Sequence, residues 1–380
     1  MKEKMDRREF VKTIVALGVG AAASKNERSA AFDIPASSLT DVRLKEFIMQ
    51  IRVWYGLEQR VGHLGEAQDD FDLLGEVICP EGIVDLRYTL NGGSPVSLSV
   101  GNRSDGFGDG RRLAGTGHFN ADIPISSFRQ GINEVVLTAV DTQGDTVQET
   151  VTIQLMAGNY SLPVFIDWNK VENPQDVGQY VDGEWGLQAN GLRVLHTGYD
   201  RIFLIGEKSW QDYEVIVPVT VHHIDEVTGP VSGSNGVGIL MRFTGHVNGG
   251  PRKFPVGQPK WGYQPFGAIG WLRWMQGKDE PPQKQFYSGD SNRTVDHGAF
   301  PVKTGRIYWM KTRCETLPDD VNGHGVTRYS FKIWPDTQAE RDGWDWQETQ
   351  TSEYALRRGG VVLLSHHVDS TFGNITISEI

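Results

Sequence analysis

Apolar and polar side chains alternate with period two along most of this chain, which is the signature of strands with one buried face. The plainest case is Ile83-Val84-Asp85-Leu86-Arg87-Tyr88-Thr89-Leu90, which runs into the hairpin signal Asn91-Gly92-Gly93. Residues 119–124 and 134–140 follow, and the turn Asp141-Thr142-Gln143-Gly144-Asp145 leads into a last strand at 146–155. Turn signals about every ten residues predict a small antiparallel sandwich over 41–157. Residues 157–163 read as a linker. Beyond it, strands are predicted at 192–195, 201–205, 213–223, 237–243, 268–275, 307–315, 327–334, 361–367 and 372–380. Nine or more strands without helices predict a double-sheet jelly roll over 163–380. Helical periodicity is nearly absent, although 43–53 reads either way. The predicted fold class is all-β.

Parity then sorts side chains by face. Val215, Val217, Val219 and Val221 share a core face, leaving Thr220 and His222 opposite. Val237, Ile239, Met241 and Phe243 are assigned to the core, and Arg242 away from it. Tyr329, Phe331 and Ile333 are assigned inward, against Arg328, Ser330, Lys332 and Trp334. Lys311 and Arg313 share a face with Trp309, and Trp271 with Arg273. The candidate ligand-binding set is therefore His222, Arg242, Trp271, Arg273, Lys311, Arg313, Arg328, Lys332 and Trp334. Gathered on one concave sheet, they form a basic groove with aromatic platforms, suited to a polysaccharide and to an acidic one in particular. The plainer alternative is that any solvated sheet carries Lys and Arg while the indoles plug the core. The aromatic stretch from Trp261 through Tyr263 to Trp274 reads equally as a rim over the groove or as an insertion with its own core.

Composition narrows the partners. A net charge of −11 argues against nucleic acid or anionic lipid as a general partner. With 38% hydrophobic residues the chain can build packed cores. The two cysteines, Cys79 and Cys314, exclude a disulfide framework. At the N-terminus, Arg7-Arg8-Glu9-Phe10-Val11-Lys12 precedes a weakly apolar run and Ala21-Ala22-Ala23. This order resembles a bacterial twin-arginine export signal, so 1–31 is expected to direct export to the periplasm or beyond. No other apolar run approaches membrane-spanning length, and no membrane insertion is expected after signal removal.

Two resemblances refine the fold. Gly131-Ile132-Asn133-Glu134-Val135-Val136-Leu137-Thr138-Ala139-Val140-Asp141 resembles the closing hairpin of bacterial immunoglobulin-like domains, covering about 47–156. Ser209-Trp210-Gln211-Asp212-Tyr213, then Tyr329 to Pro335 followed by Gly343-Trp344, then Val368 to Ile377 resemble the concanavalin A-like lectin/glucanase superfamily, laminin-G-like branch, over about 165–380. The resemblance implies a structural calcium near the final strand, with Asp369 or Asn374 as ligand, and no organic cofactor. That fold hosts lectins, glycosidases, lyases and spacers alike.

Candidate chemistry is sparse. Hydrolase, zinc-protease, phosphate-loop and Cys-x-x-Cys motifs are missing. The glucanases of this fold carry Glu-x-Asp-x-x-Glu on a strand; the nearest match, Glu340 to Asp345, ends in Asp and sits in a Gly-containing loop. The loops 102–110 and 319–323 read as calcium loops or as simple turns. The pairs His222–His223 and His366–His367 are expected to point to opposite faces.

The leading expectation is an exported carbohydrate-binding protein with the first sandwich as spacer. The rival is a polysaccharide-degrading enzyme, foremost a lyase, with His222 or Tyr263 as base and acid and Arg242 and Arg273 neutralising a uronate. A structural envelope module is the third reading. A lyase needs His, Tyr and Arg converging in one cleft. A lectin needs aromatic and polar groups in an open groove, and a structural module needs neither.

Overall fold

The computed structural model describes residues 49–101, 111–248, 257–262 and 266–380. The expected export signal, the loop at 102–110 and Tyr263 lie outside the described residues. Period-two alternation becomes strands throughout, and among the described residues helix is confined to short 3-10 turns such as Trp168–Lys170.

The N-terminal sandwich comprises β1 (Gln50–Val53), β2 (Glu58–Val61), β3 (Asp70–Ile78), β4 (Ile83–Leu90), β5 (Val96–Ser97), β6 (His118–Pro124), β7 (Gly131–Asp141) and β8 (Thr146–Leu155). They form a three-stranded sheet, β1-β3-β6, and a five-stranded sheet, β2-β8-β7-β4-β5. Phe71, Leu73, Phe119 and Ala121 meet Leu86, Val135, Leu137 and Ile153 in one core. The ambiguous stretch near residue 50 resolves as strand β1.

The larger sandwich begins with β9 (Val164–Ile166), β10 (Gln179–Asp182), β11 (Trp185–Gln188), β12 (Gly191–Val194), β13 (Arg201–Ile205) and β14 (Tyr213–Ile224). It continues with β15 (Asn235–Phe243), β16 (Ala268–Trp274), β17 (Gln283–Ser288), β18 (Thr294–Ala299) and β19 (Ile307–Leu317). Last come β20 (Gly325–Pro335), β21 (Trp346–Ser352), β22 (Gly360–His366), β23 (Val368–Phe372) and β24 (Ile375–Glu379). The seven-stranded sheet runs β10-β13-β22-β15-β16-β17-β18; the nine-stranded sheet runs β11-β12-β23-β14-β19-β20-β21, with β24 and β9 alongside β14.

Between these sheets lie Val215, Val217 and Val219 of β14, Phe331 and Ile333 of β20, Val237, Ile239 and Met241 of β15, and Leu363 of β22. Phe243 departs from its expected parity. The β15–β22 register shifts between Met241 and Phe243, and Arg242 at the bulge adopts φ +57°. The extra residue turns Phe243 to the outer face, beside Leu240.

That outer face of the seven-stranded sheet is itself covered. Val181, Ile202, Leu204, Leu240, Ile269, Val362 and Leu364 form a second apolar layer that includes Ala67 of the N-terminal sandwich. Strands buried on both faces lose their alternation, which explains the continuous apolar runs of β13 and β22.

The two sandwiches meet across a buried charged seam. Arg112 donates to Asp72 at 2.9 Å, to both oxygens of Asp122 at 2.9 Å, to Asp182 of β10 at 2.6 Å and to the Lys260 carbonyl at 2.6 Å. Asn120 adds a bond to the Val181 carbonyl at 2.8 Å. Burial lifts the Asp72 carboxyl well above its ordinary range and Asp182 to about 6. At Asp122 burial acts in the same sense, but the charge and hydrogen bonds of Arg112 outweigh it and hold the carboxyl below that range. The N-terminal sandwich is thus a docked wall, which corrects its expected role as a spacer.

Candidate functional site

Among the described residues, the wall leaves uncovered a part of the outer face where β22, β15, β16 and β17 lie side by side. On β15, Gly236 pairs with Arg273 on one side and His366 on the other; Gly238 pairs likewise with Trp271 and Leu364. A side chain at Gly238 would place its Cβ 2.3 Å from the Cβ of Trp271, and one at Gly236 would sit 2.8 Å from the indole. The two glycines therefore let Trp271 lie across the strand. Its Nε1 donates to Gln285 at 3.0 Å, and Gln285 donates to Asp296 at 2.8 Å. The Arg273 guanidinium stands 4.3 Å over the Trp271 ring.

His366 ends β22 with the same parity as Leu364 and so faces this open region. Asp200, held at φ +43° just before β13, accepts from His366 Nδ1 at 2.6 Å. Nε2 faces the Ser232 carbonyl at 3.0 Å. Both nitrogens thus face oxygen acceptors, and the neutral imidazole can donate to only one of them at a time. Burial and the neighbouring Arg273 oppose its charge and push His366 down to about 4, against the pull of Asp200. For Asp200, burial favours the neutral carboxyl, yet His366 beside it holds the pKa below the ordinary range.

Tyr199 meets His366 edge to face at 4.8 Å. Arg111, contributed by the N-terminal sandwich, places its guanidinium 5.2 Å over the Tyr199 ring, and Arg201 donates to the Arg111 carbonyl at 2.9 Å. Tyr287, its hydroxyl donating to Asn292 at 2.7 Å, closes the far side. The resulting cleft of about 210 Å³ brings together Tyr199, Asp200, His366, Trp271, Arg273 and Gln285. Among the described residues, larger depressions of about 520 Å³ beside Trp210 and about 570 Å³ beside Cys79 are lined by no histidine or arginine, whereas one of about 370 Å³ on the other sheet is lined by His222 and Arg193.

The expected ligand-binding residues fall on two sheets, so the single groove is corrected. Trp271 and Arg273 are in the cleft. Arg242 is wholly buried instead of facing solvent, because the bulge turns it inward. Its guanidinium donates to Asp212 at 3.0 Å, Thr327 at 2.7 Å, Thr316 at 2.9 Å and the Leu356 carbonyl at 2.9 Å. His222, Lys311, Arg313, Arg328, Lys332 and Trp334 lie on β14, β19 and β20 of the other sheet.

That second face is charge-matched, which corrects its expected basic character. Lys311 pairs with Glu214 at 2.7 Å and Arg313 with Glu214 at 2.5 Å; Arg328 pairs with Glu315 at 2.9 Å, and Lys332 with Glu340 at 2.5 Å. Glu340 belongs to the loop that carried the nearest glucanase match, and it serves here as a cross-link to the sheet. Lys332 also sits between Trp334 and Trp344, at 5.6 and 5.3 Å. His222 contacts Thr371 at 2.8 Å, at the edge of a depression of about 370 Å³.

Near the final strand and at 319–323 the described residues do not fit the calcium expectation, while the candidate loop at 102–110 lies outside the described residues. Both oxygens of Asp369 are taken by Arg193, at 2.8 and 2.7 Å. Asn374 accepts from the Trp168 amide at 3.1 Å and donates to Asp167. Asp320 caps its own turn by accepting from the amides of Asn322 and His324. Among the described residues, no group of three or more His, Cys, Asp or Glu is placed to hold a metal ion. His366 and His367 do come together, with ring centroids 4.6 Å apart, since His367 takes φ +55° between strands instead of continuing β22. Asp200 and Tyr199 were not singled out in the sequence, and His366 was considered only as one of a His–His pair. The available signal was Gly-x-Gly on one strand and Trp-x-Arg on the next.

No family model and no curated protein matches the chain. Similar solved structures include the VIP36 exoplasmic/lumenal domain bound to Ca2+ and Man3GlcNAc, at 12% identity over 57% of this chain and 91% of that one, with a TM-score of 0.33. A xylan β-1,4-xylosidase from Bacillus halodurans is 9% identical over 82% of this chain and 64% of that one (TM-score 0.34). A PL-14 alginate lyase from Aplysia kurodai is 10% identical over 55% of this chain and 88% of that one (TM-score 0.27). Likeness at this level leaves the assignment of function to the chain's own residues.

Proposed function

We propose that this chain is an exported carbohydrate-binding protein, its larger sandwich a concanavalin A-like jelly roll that holds a glycan in the Trp271 cleft. The observation that carries the reading is the composition of that cleft. Aromatic surface from Tyr199, Trp271 and Tyr287 surrounds a small set of polar groups, Arg273, Gln285 and His366. Apolar sugar faces stack on aromatic rings while hydroxyls and carboxylates need directed donors, and a cleft of this make-up supplies both. The docked N-terminal sandwich acts as one wall, through Arg111 over Tyr199. The charge-matched opposite face offers fewer open donors, since its cations already have carboxylates.

The test is calorimetric binding of the purified protein to neutral and uronate-rich polysaccharides. Tyr287→Ala is expected to weaken binding about three- to tenfold, the worth of one aromatic contact. Affinity that instead depended on Lys311 and Arg313 would move the site to the other sheet and overturn the assignment.

A further inference from the structure

Resting on the proposal that the Trp271 cleft takes a glycan, we infer that the site continues across the sheet as a charge-polarised groove. It selects a chain in which an anionic sugar stands next to one that carries no negative charge. The cleft does not end at β17. Met275 lines both it and a second depression of about 270 Å³, whose walls include Glu280, Gln283 and Asp296. Residues directly opposite on neighbouring strands share a face, and the register carries the cleft face toward β18. Trp271 pairs with Gln285 and Gln285 with Asp296, while Arg273 pairs with Gln283. The first of these rows is tied by hydrogen bonds, from Trp271 to Gln285 at 3.0 Å and from Gln285 to Asp296 at 2.8 Å. From β15 to β18 the face extends about 14 Å, three strand spacings, so more than one sugar ring lies along it.

The two ends differ in charge. At the cleft end Arg273 stands over Trp271, and Arg111 reaches from the N-terminal sandwich to lie 5.2 Å over Tyr199 and 6.0 Å over Trp261. The carboxylate lining the cleft, Asp200, is already engaged by His366. His366, pushed down to about 4, adds no charge at neutral pH. At the other end, among the described residues, the charged side chains of the second depression are Glu280 and Asp296, both exposed. Guanidinium groups bind a sugar carboxylate or sulfate by paired hydrogen bonds, so the cleft end favours an anionic unit. Glu280 and Asp296 repel a second such unit, while the amides of Gln276 and Gln283 match hydroxyl or acetamido groups. A uniformly anionic chain meets that repulsion and a neutral chain forgoes the guanidinium bonds. An alternating chain satisfies both ends.

The experiment is calorimetric titration of the full chain with polymannuronate, cello-oligosaccharide and hyaluronan fragments of equal length, which are uniformly anionic, neutral and alternating in turn. Hyaluronan is expected to bind about tenfold more tightly than either of the others. Glu280→Gln combined with Asp296→Asn removes both charges and keeps the hydrogen-bond acceptors. It should strengthen polymannuronate binding about three- to tenfold and leave hyaluronan within about twofold. Arg111→Ala should weaken hyaluronan about three- to tenfold and change cello-oligosaccharide little. Polymannuronate or cello-oligosaccharide bound as tightly as hyaluronan overturns the charge selection, and so does polymannuronate affinity unchanged in the double variant. Binding of other neutral or uronate-rich polysaccharides but of none of these three overturns it as well. In each of those cases the glycan-binding proposal stands. Absence of binding to every glycan sinks both.

Discussion

The two outward faces of the larger sandwich carry similar residue types and use them in opposite ways. On the nine-stranded sheet, Lys311, Arg313 and Arg328 sit in half-exposed pairs with Glu214 and Glu315, side by side along neighbouring strands. On the seven-stranded sheet, comparable charges are more deeply buried: Arg112 among three carboxylates at the seam, and Arg273 with Asp200 and His366 lining the cleft. Water screens the first set and is largely excluded from the seam. The pairs on the open face therefore contribute little, while the covered charges hold the two sandwiches together and perturb one another's protonation.

The largest expected effect that separates the faces comes from Arg112→Ala. It strands Asp72, Asp122 and Asp182 without their cation, and loss of one partner from a buried ion cluster costs about 3–5 kcal/mol. Urea unfolding measures it. A loss below about 1 kcal/mol would show that water enters the seam and that the contrast between the faces is weaker than the geometry implies.

The next effect is one of pH. Asp182 keeps its proton up to about 6 in the folded chain, whereas an unfolded aspartate releases it near 3.9. Between these values folding takes up a proton, so this group's contribution to stability falls as pH rises through the window, by about 3 kcal/mol in all. Asp182→Asn should flatten that part of the stability–pH curve. An unaltered slope would assign the proton uptake to a neighbour such as Asp72.

The smallest effect belongs to the open face. Arg328→Ala should change stability by less than about 1 kcal/mol, because the Arg328–Glu315 pair is partly solvated. A larger loss in thermal unfolding would mean that the ladder on β19 and β20 acts as a network and not as separate pairs.

Much of this arrangement was legible in the chain and some was not. The strand at 201–205 was read with its observed limits, and the valine parity of β14 holds throughout. Short strands such as β10, β11 and β18 escaped notice, since four to six residues give too few alternations to stand out. Parity failed at two places for one reason. Arg242 and His367 both adopt positive φ, and a single left-handed residue resets the alternation that a pattern reading assumes to continue. The cleft was half seen. Trp271 and Arg273 announced themselves by spacing, while Asp200 precedes its strand and His366 was read only as one of two histidines on opposite faces of a strand.

By itself the sequence determined that the chain is all-β, and for regular strands it determined which residues share a face. Both follow from the pleat of the backbone, a local property that repeats every two residues. Only the tertiary structure decided which sheet each strand joined, that the N-terminal sandwich would cover one face of the larger one, and that Tyr199, Arg273 and His366 would meet. Those outcomes depend on hydrogen bonds and packing between segments far apart in the chain, and no short-range pattern encodes strand order.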